Sequence, residues 1–323
     1  MKHSFKTTII LVIVFFIAQL IGLGVVSQYM TDKVIDPATG EVINVSYEAL
    51  PFDMERPEVE ESFSVFYIIG AVIAATVLIL LIIKFKTKRL WKIWFLLSVI
   101  ICLSVAFGSV MNQYVAFGLA LILGLYKIFR PNFIIHNLTE VFIYGGLAAV
   151  FVPIMNLFAA LALLVLISIY DAYAVWQSKH MIKMAKFQTE SNIFAGLSIP
   201  YEMNWKSLWQ KQTTQKKSLS SKNHKTKKTS KVVATKHVKV ADDKNSKKVP
   251  SAILGGGDIG FPLIFAGVLM KQFTFFQVLF VPVICTITLG ILLYYAQKNK
   301  FYPAMPFLSA GCLVAYGFIW LLF

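Results

Sequence analysis

Cysteine is almost missing from this chain: Cys102, Cys285 and Cys312 are the only three in 323 residues, each inside an apolar run and none at metal-ligand spacing. That excludes a disulfide framework and a zinc site, and all three are read as packing residues. Charge is also scarce, at 15% of residues against 57% hydrophobic ones, which excludes an ordinary soluble domain. The first apolar segment follows Lys2 and Lys6, stays apolar to Val26 and lacks a small-residue cleavage site, so it is read as a retained span rather than a signal peptide. No internal repeat of the kind that builds many transporters is evident.

Carboxylates are rarest where the chain is most apolar. Of 16 Asp and Glu, nine lie between Asp32 and Glu61, and Glu190, Glu202, Asp242 and Asp243 lie in a basic stretch. Glu140, Asp171 and Asp258 remain, each within a hydrophobic run. An ionisable group in hydrocarbon costs at least about 2.5 to 3.5 kcal/mol, so such residues mark a pathway or a reaction centre.

A helical span needs about 20 mostly apolar residues, and the chain has runs near that length from one end to the other. The expected fold class is an all-α polytopic membrane protein with nine transmembrane helices. They are placed at Thr8–Met30, Phe63–Ile83, Leu90–Val110, Tyr114–Phe129, Phe133–Val152, Leu157–Trp176, Ile253–Met270, Phe275–Ala296 and Met305–Phe323. With a cytoplasmic N-terminus and every span crossing, 28 of 31 Lys and Arg fall inside, the exceptions being Lys33, Arg56 and Lys271. The net charge of +15 is therefore explained by topology in a cell membrane and calls for no nucleic acid partner. An odd number of crossings leaves the C-terminus outside.

The chain divides into three regions. Residues 1–176 carry six spans and an acidic extracytoplasmic loop at 31–62, where runs such as Val42-Ile43-Asn44-Val45 suit a small hairpin and Asn44-Val45-Ser46 is a glycosylation sequon. Residues 177–250 hold 17 Lys against four acids. They read as a largely disordered cytoplasmic linker whose charge fixes orientation, although the same charge suits a tether to anionic lipid or nucleic acid. The linker's front, Met181 to Trp209, has the apolar spacing of a helix lying along the interface. Residues 251–323 carry the last three spans.

Tyr170-Asp171 and Gly255-Gly256-Gly257-Asp258 lie on the two spans flanking that linker. Counted from Lys179 and Lys248 at 1.5 Å per helical residue, the two aspartates lie at a common depth of roughly 12 to 15 Å. Antiparallel packing of these spans would let them meet. Two carboxylates about 3 Å apart cannot both ionise, so they share a proton and supply a general base for water and a general acid for a scissile carbonyl. The glycines allow close helix approach and weaken the start of the span. A frayed Val249-Pro250-Ser251-Ala252-Ile253-Leu254 segment could then pair with an unwound substrate as an added strand.

On these residues the sequence resembles the presenilin and signal peptide peptidase family of intramembrane aspartyl proteases, and its archaeal presenilin-like members most. Tyr170-Asp171 is similar to the family's Tyr-Asp, Gly255-Gly256-Gly257-Asp258 to its Gly-x-Gly-Asp, and Pro303-Ala304-Met305-Pro306 to its Pro-Ala-Leu element, with Met305 in place of Leu. The stretch Asp171 to Ala185, with Lys179-His180-Met181, is also similar to archaeal members. The resemblance implies a presenilin-like fold, with Asp171 and Asp258 as catalytic dyad. It also implies that Tyr170, Gly255, Gly256, Gly257, Pro303, Ala304 and Met305 form the substrate-binding surroundings. Transmembrane-helix proteins in the bilayer are the implied substrates, with no metal or organic cofactor and no obligatory partner subunit; a homo-oligomer stays open. The cytoplasmic N-terminus matches presenilins, since signal peptide peptidases are inverted.

Two other readings compete. An ion or proton transporter or channel would use Asp171, Asp258 and Glu140, and Glu140 sits in a polar patch with His136, Asn137 and Thr139. A satisfied interhelical hydrogen-bond cluster is the alternative role for that patch. Prepilin-peptidase-like enzymes share Gly-x-Gly-Asp but carry a Lys two residues after the Asp, where this chain has Gly260.

Overall fold

A computed structural model describes residues 5–35, 42–56, 63–84, 88–130, 132–178, 194–200, 251–296 and 302–323. Residues 1–199 with 252–323 form one unit and residues 200–251 a second. The helices of the first unit are α1 (Phe5–Tyr29), α2 (Ser64–Lys84), α3 (Lys88–Gly108), α4 (Gln113–Phe129), α5 (Phe133–Phe151), α6 (Leu157–Tyr173), α7 (Gly256–Leu269), α8 (Phe275–Tyr295) and α9 (Met305–Leu322). Two short two-stranded ribbons accompany them: β1 (Met30–Ile35) antiparallel to β2 (Val42–Tyr47), and β3 (Gly196–Pro200) paired with β4 (Ser251–Gly255).

Each expected apolar run is helical over most of its length. Among the described residues, six helices are long and apolar enough to cross a membrane: those at α1, α3, α5, α6, α8 and α9. At 17 and 14 residues, α4 and α7 are shorter.

Asparagine starts three of the helices. Its side-chain oxygen accepts from Tyr114 N–H at α4 (Asn112, 3.0 Å), Ile134 N–H at α5 (Asn132, 3.1 Å) and Ala159 N–H at α6 (Asn156, 2.7 Å). Each satisfies a donor that the first helical turn leaves open. At α8 the Gln277 side chain accepts from both Thr274 N–H (2.8 Å) and its hydroxyl (2.9 Å).

Helix α5 is central, packed on α1 and α7 and, on another face, on α3 and α4. Small residues make this possible. A Cβ on Gly145 would lie 3.1 Å from Gly22 Cα of α1, and one on Gly146 would run into the Cys102 carbonyl of α3. Backbone cannot move aside as a side chain can, so Gly146→Ala should cost about 1–3 kcal/mol through overpacking. Thermal unfolding in detergent should show a lowered midpoint, whereas Gly290→Ala, with open space at its Cβ, should not.

At the far end of α1 the expected hairpin is present, with Met30 opposite Tyr47 and Lys33 opposite Val45. The three basic residues set apart by charge counting gather at this end. Lys33 donates to Phe273 O (2.9 Å), Lys271 to Met155 O (2.7 Å), and the Arg56 guanidinium stacks 5.7 Å from the Tyr47 ring.

Some expectations need correction. The seventh helix begins at Gly256 rather than Ile253, because Ser251–Gly255 is an extended strand. Helical rise therefore misjudges the distance from Lys248 to Asp258. An interfacial helix over Met181–Trp209 also fails where it can be seen, because Gly196–Pro200 is a strand. The remainder of that segment, like nearly all of the basic linker, lies outside the described residues.

Candidate active site

Asp171 occupies the last turn of α6, which runs on into a π-helical turn over Ala174–Ser178. Its carboxylate meets the start of α9. Pro303 and Met305 are buried there, and Met305 N–H, one of the donors a helix start leaves unpaired, donates to Asp171 Oδ2 at 3.1 Å. Ala304 N–H faces the same carboxylate. The positive end of the α9 dipole therefore points at an acid inside the bundle. Three residues earlier, Ser168 Oγ bonds Ser309 Oγ of α9 at 2.7 Å and clamps the two helices together.

Asp258 is the third residue of α7, directly after the strand β4. The Gly255 N–H turns back toward its carboxylate, and a Cβ on Gly255 would lie 3.3 Å from Asp258 Oδ2. Helix α6 packs on α7, and this brings Asp171 within electrostatic reach of Asp258. Both side chains are half-buried.

The other expected site residues divide. Gly255, Gly256, Ala304 and Met305 surround the two acids. Gly256 lies against the Tyr144 hydroxyl, which a Cβ there would approach to 2.5 Å. Gly257 and Tyr170 are exposed, the latter at 51%. Among the described residues, no group of three or more His, Cys, Asp or Glu side chains has metal-site geometry.

Sequence reasoning missed two supports. Gln19 of α1, fully buried, donates from Nε2 to Ile259 O at 2.8 Å, next to Asp258. Pro262 lacks the N–H that would reach the Asp258 carbonyl, so this turn of α7 is short of one helical hydrogen bond. A polar residue inside a long apolar run was the available signal. Tyr144 is the second, and as an aromatic in an apolar helix it carried no signal.

Glu140 does not line a pathway. It is 1% exposed and pairs with Lys127 of α4, 4% exposed, at 2.5 Å. It also accepts from Tyr144 OH and, at 3.0 Å, from Gly196 N–H of β3. All its charge is locally satisfied, which removes the observation that favoured a transporter.

A bundle of long apolar helices that carries two aspartates on packed neighbouring helices, one of them in the first turn of its helix, defines an integral membrane protein with acids inside its spans. The chain belongs to the signal-peptide peptidase, presenilin aspartyl protease family, whose model matches residues 42–323. It is an integral membrane aspartyl protease. Two solved structures of a presenilin family intramembrane aspartate protease share its fold. The one in space group C222 has 16% identity and a TM-score of 0.57, covering 98% of this chain and 99% of that one. The one in P2 also has 16% identity, with a TM-score of 0.58, and covers 97% of each chain. No curated protein matches the sequence.

Proposed function

We propose that Asp171 and Asp258 are the catalytic dyad of an endopeptidase that hydrolyses peptide bonds within transmembrane segments of membrane proteins. The supporting observation is that α6 and α7 hold the two acids within electrostatic reach of each other, in a site whose fixed donors are backbone N–H groups. With one proton between them, the ionised carboxylate takes a proton from water while the oxygen attacks the scissile carbonyl carbon. The protonated acid gives its proton to the carbonyl oxygen, forming a gem-diol. When the C–N bond breaks, the nitrogen takes a proton from the protonated carboxyl, a gem-diol hydroxyl gives its proton to the ionised carboxylate, and the products separate as acid and amine with one proton again on the dyad. No cofactor enters this balance.

A helical substrate hides its peptide bonds and must unwind. Strand β4, with Ile253 51% exposed, ends shortly before Asp258 and offers an edge for an extended substrate. Gly255, Gly256, Gly257 and the Pro303-Ala304-Met305 corner would leave room for that strand, with Tyr170 on the approach side. The remaining assignments are nine crossings, a cytoplasmic N-terminus, an extracytoplasmic C-terminus in a cell membrane, and residues 177–250 as a cytoplasmic linker between regions 1–176 and 251–323. They rest on the charge distribution.

The purified chain alone, in lipid, should cleave a single-pass substrate, as the archaeal-type resemblance implies. Product masses should place every cut inside the hydrophobic segment. Cuts confined to a soluble ectodomain would refute the reading.

A further inference from the structure

Helix α5 treats β3 as a neighbouring strand would. Glu140 Oε2 accepts from Gly196 N–H (3.0 Å), and His136 Nε2 donates to Gly196 O (2.8 Å). Asn137 accepts from Ser198 N–H (3.0 Å) and donates to Ser198 O (2.8 Å). Side chains from one helix therefore occupy the edge of β3 formed by Gly196 and Ser198. The alternate residues face β4, where Gly256 N–H donates to Ala195 O at 3.3 Å. At the centre stands the Lys127–Glu140 pair, whose ammonium also donates to Thr139 Oγ1 at 3.1 Å.

Stability alone does not account for that pair. A buried ion pair is often replaced by apolar residues at no cost, and hydrocarbon surroundings make its desolvation dearer. What it holds is more informative. The same carboxylate oxygen grips Gly196 of β3 and the hydroxyl of Tyr144, and Tyr144 packs under Gly256, two residues before Asp258.

Taking Asp171 and Asp258 as the catalytic pair, we infer that Glu140, braced by Lys127, is a positioning residue. It fixes β3 on one side and Tyr144 on the other side of the Gly255–Gly257 entry to α7. It thereby sets where Asp258 sits and the register in which β4 meets substrate.

Two double variants and a substrate assay test this. K127L/E140L removes both charges and the acceptor, and K127M/E140Q removes the charges but keeps an acceptor oxygen for Gly196. Both should unfold near the wild-type temperature. At saturating substrate K127L/E140L should lose about tenfold to a hundredfold in kcat, since a small misplacement of reacting groups costs that much. Its product masses should show shifted cut positions. K127M/E140Q should recover part of the rate. Wild-type kcat and cut positions in K127L/E140L would overturn the inference, as would rates that merely follow the unfolding temperatures of the variants.

Amide exchange supplies a readout independent of cleavage. Peptides covering 194–200 and 251–257 should exchange at least about fivefold faster in K127L/E140L, with α1 and α8 unchanged. Unchanged exchange there overturns the positioning role even if the wild-type chain proves inactive on every substrate. An inactive wild type with faster exchange would refute the protease reading while leaving the clamp intact.

Discussion

Asp171→Asn and Asp258→Asn should each abolish cleavage of a transmembrane substrate, lowering the single-turnover rate by about 1,000-fold or more. A positioned acid or base contributes typically 10²–10⁴-fold, and here each carboxylate serves in both steps, so neither can cover for the other. Asparagine keeps the shape of aspartate and, at position 171, an oxygen for Met305 N–H. Folding is therefore preserved, and removing an acid from apolar surroundings does not destabilise the bundle. The measurement is a single-turnover time course on protein whose unfolding midpoint matches wild type. Full retention of activity in either variant would remove that residue from the dyad. A pore that used these acids as ion ligands could survive the loss of one.

Gly196→Ala has the second-largest expected effect, although Gly196 lies far from either aspartate in sequence. Its φ of +137° is a conformation that side-chain-bearing residues rarely adopt, and a Cβ there would collide with the Leu254 carbonyl of β4. The conformation alone costs about 1–3 kcal/mol for a residue with a Cβ. Relief requires β3 to move away from β4 or α5 to release the Gly196 amide. Either displaces the strand that leads into Asp258, and about 1 Å of displacement at reacting groups costs about 100-fold. We expect kcat/KM to fall by about that factor. The unfolding midpoint should fall only modestly, as that cost implies, with the helices that hold most of the buried side chains still folded at the assay temperature. Gly290→Ala, with nothing within 4 Å of its Cβ, is the control and should keep wild-type kinetics. A wild-type rate in Gly196→Ala would show that β3 has no hold on the site.

Much of this was legible in the chain itself. Asp171 and Asp258 stood out because acids are so few in apolar runs. The hairpin after α1 followed from alternating residues at Val42–Val45, and it formed. Pro303 to Met305 were expected near the acids through resemblance, and the structure puts Met305 N–H on Asp171. The failures share one cause. Residues 253–255 read as the start of a helical span because their apolar character suits either element, and only pairing with β3 makes them part of a strand. Glu140 looked like a pathway residue because nothing in the sequence marks Lys127 as its partner; the two face each other only once α4 packs on α5.

By itself, the sequence determined that the protein lives in a membrane, where its helices run and which two acids are candidates for chemistry. Hydrophobic length, charge placement and the cost of a carboxylate in hydrocarbon are all properties of local composition. Tertiary structure alone decided that β3 and β4 exist, that Glu140 pairs with Lys127 and accepts from Gly196 of β3, and that a helix start aims its amides at Asp171. Each depends on partners distant along the chain, and a hydrogen bond or ion pair between distant residues leaves no period or spacing to read.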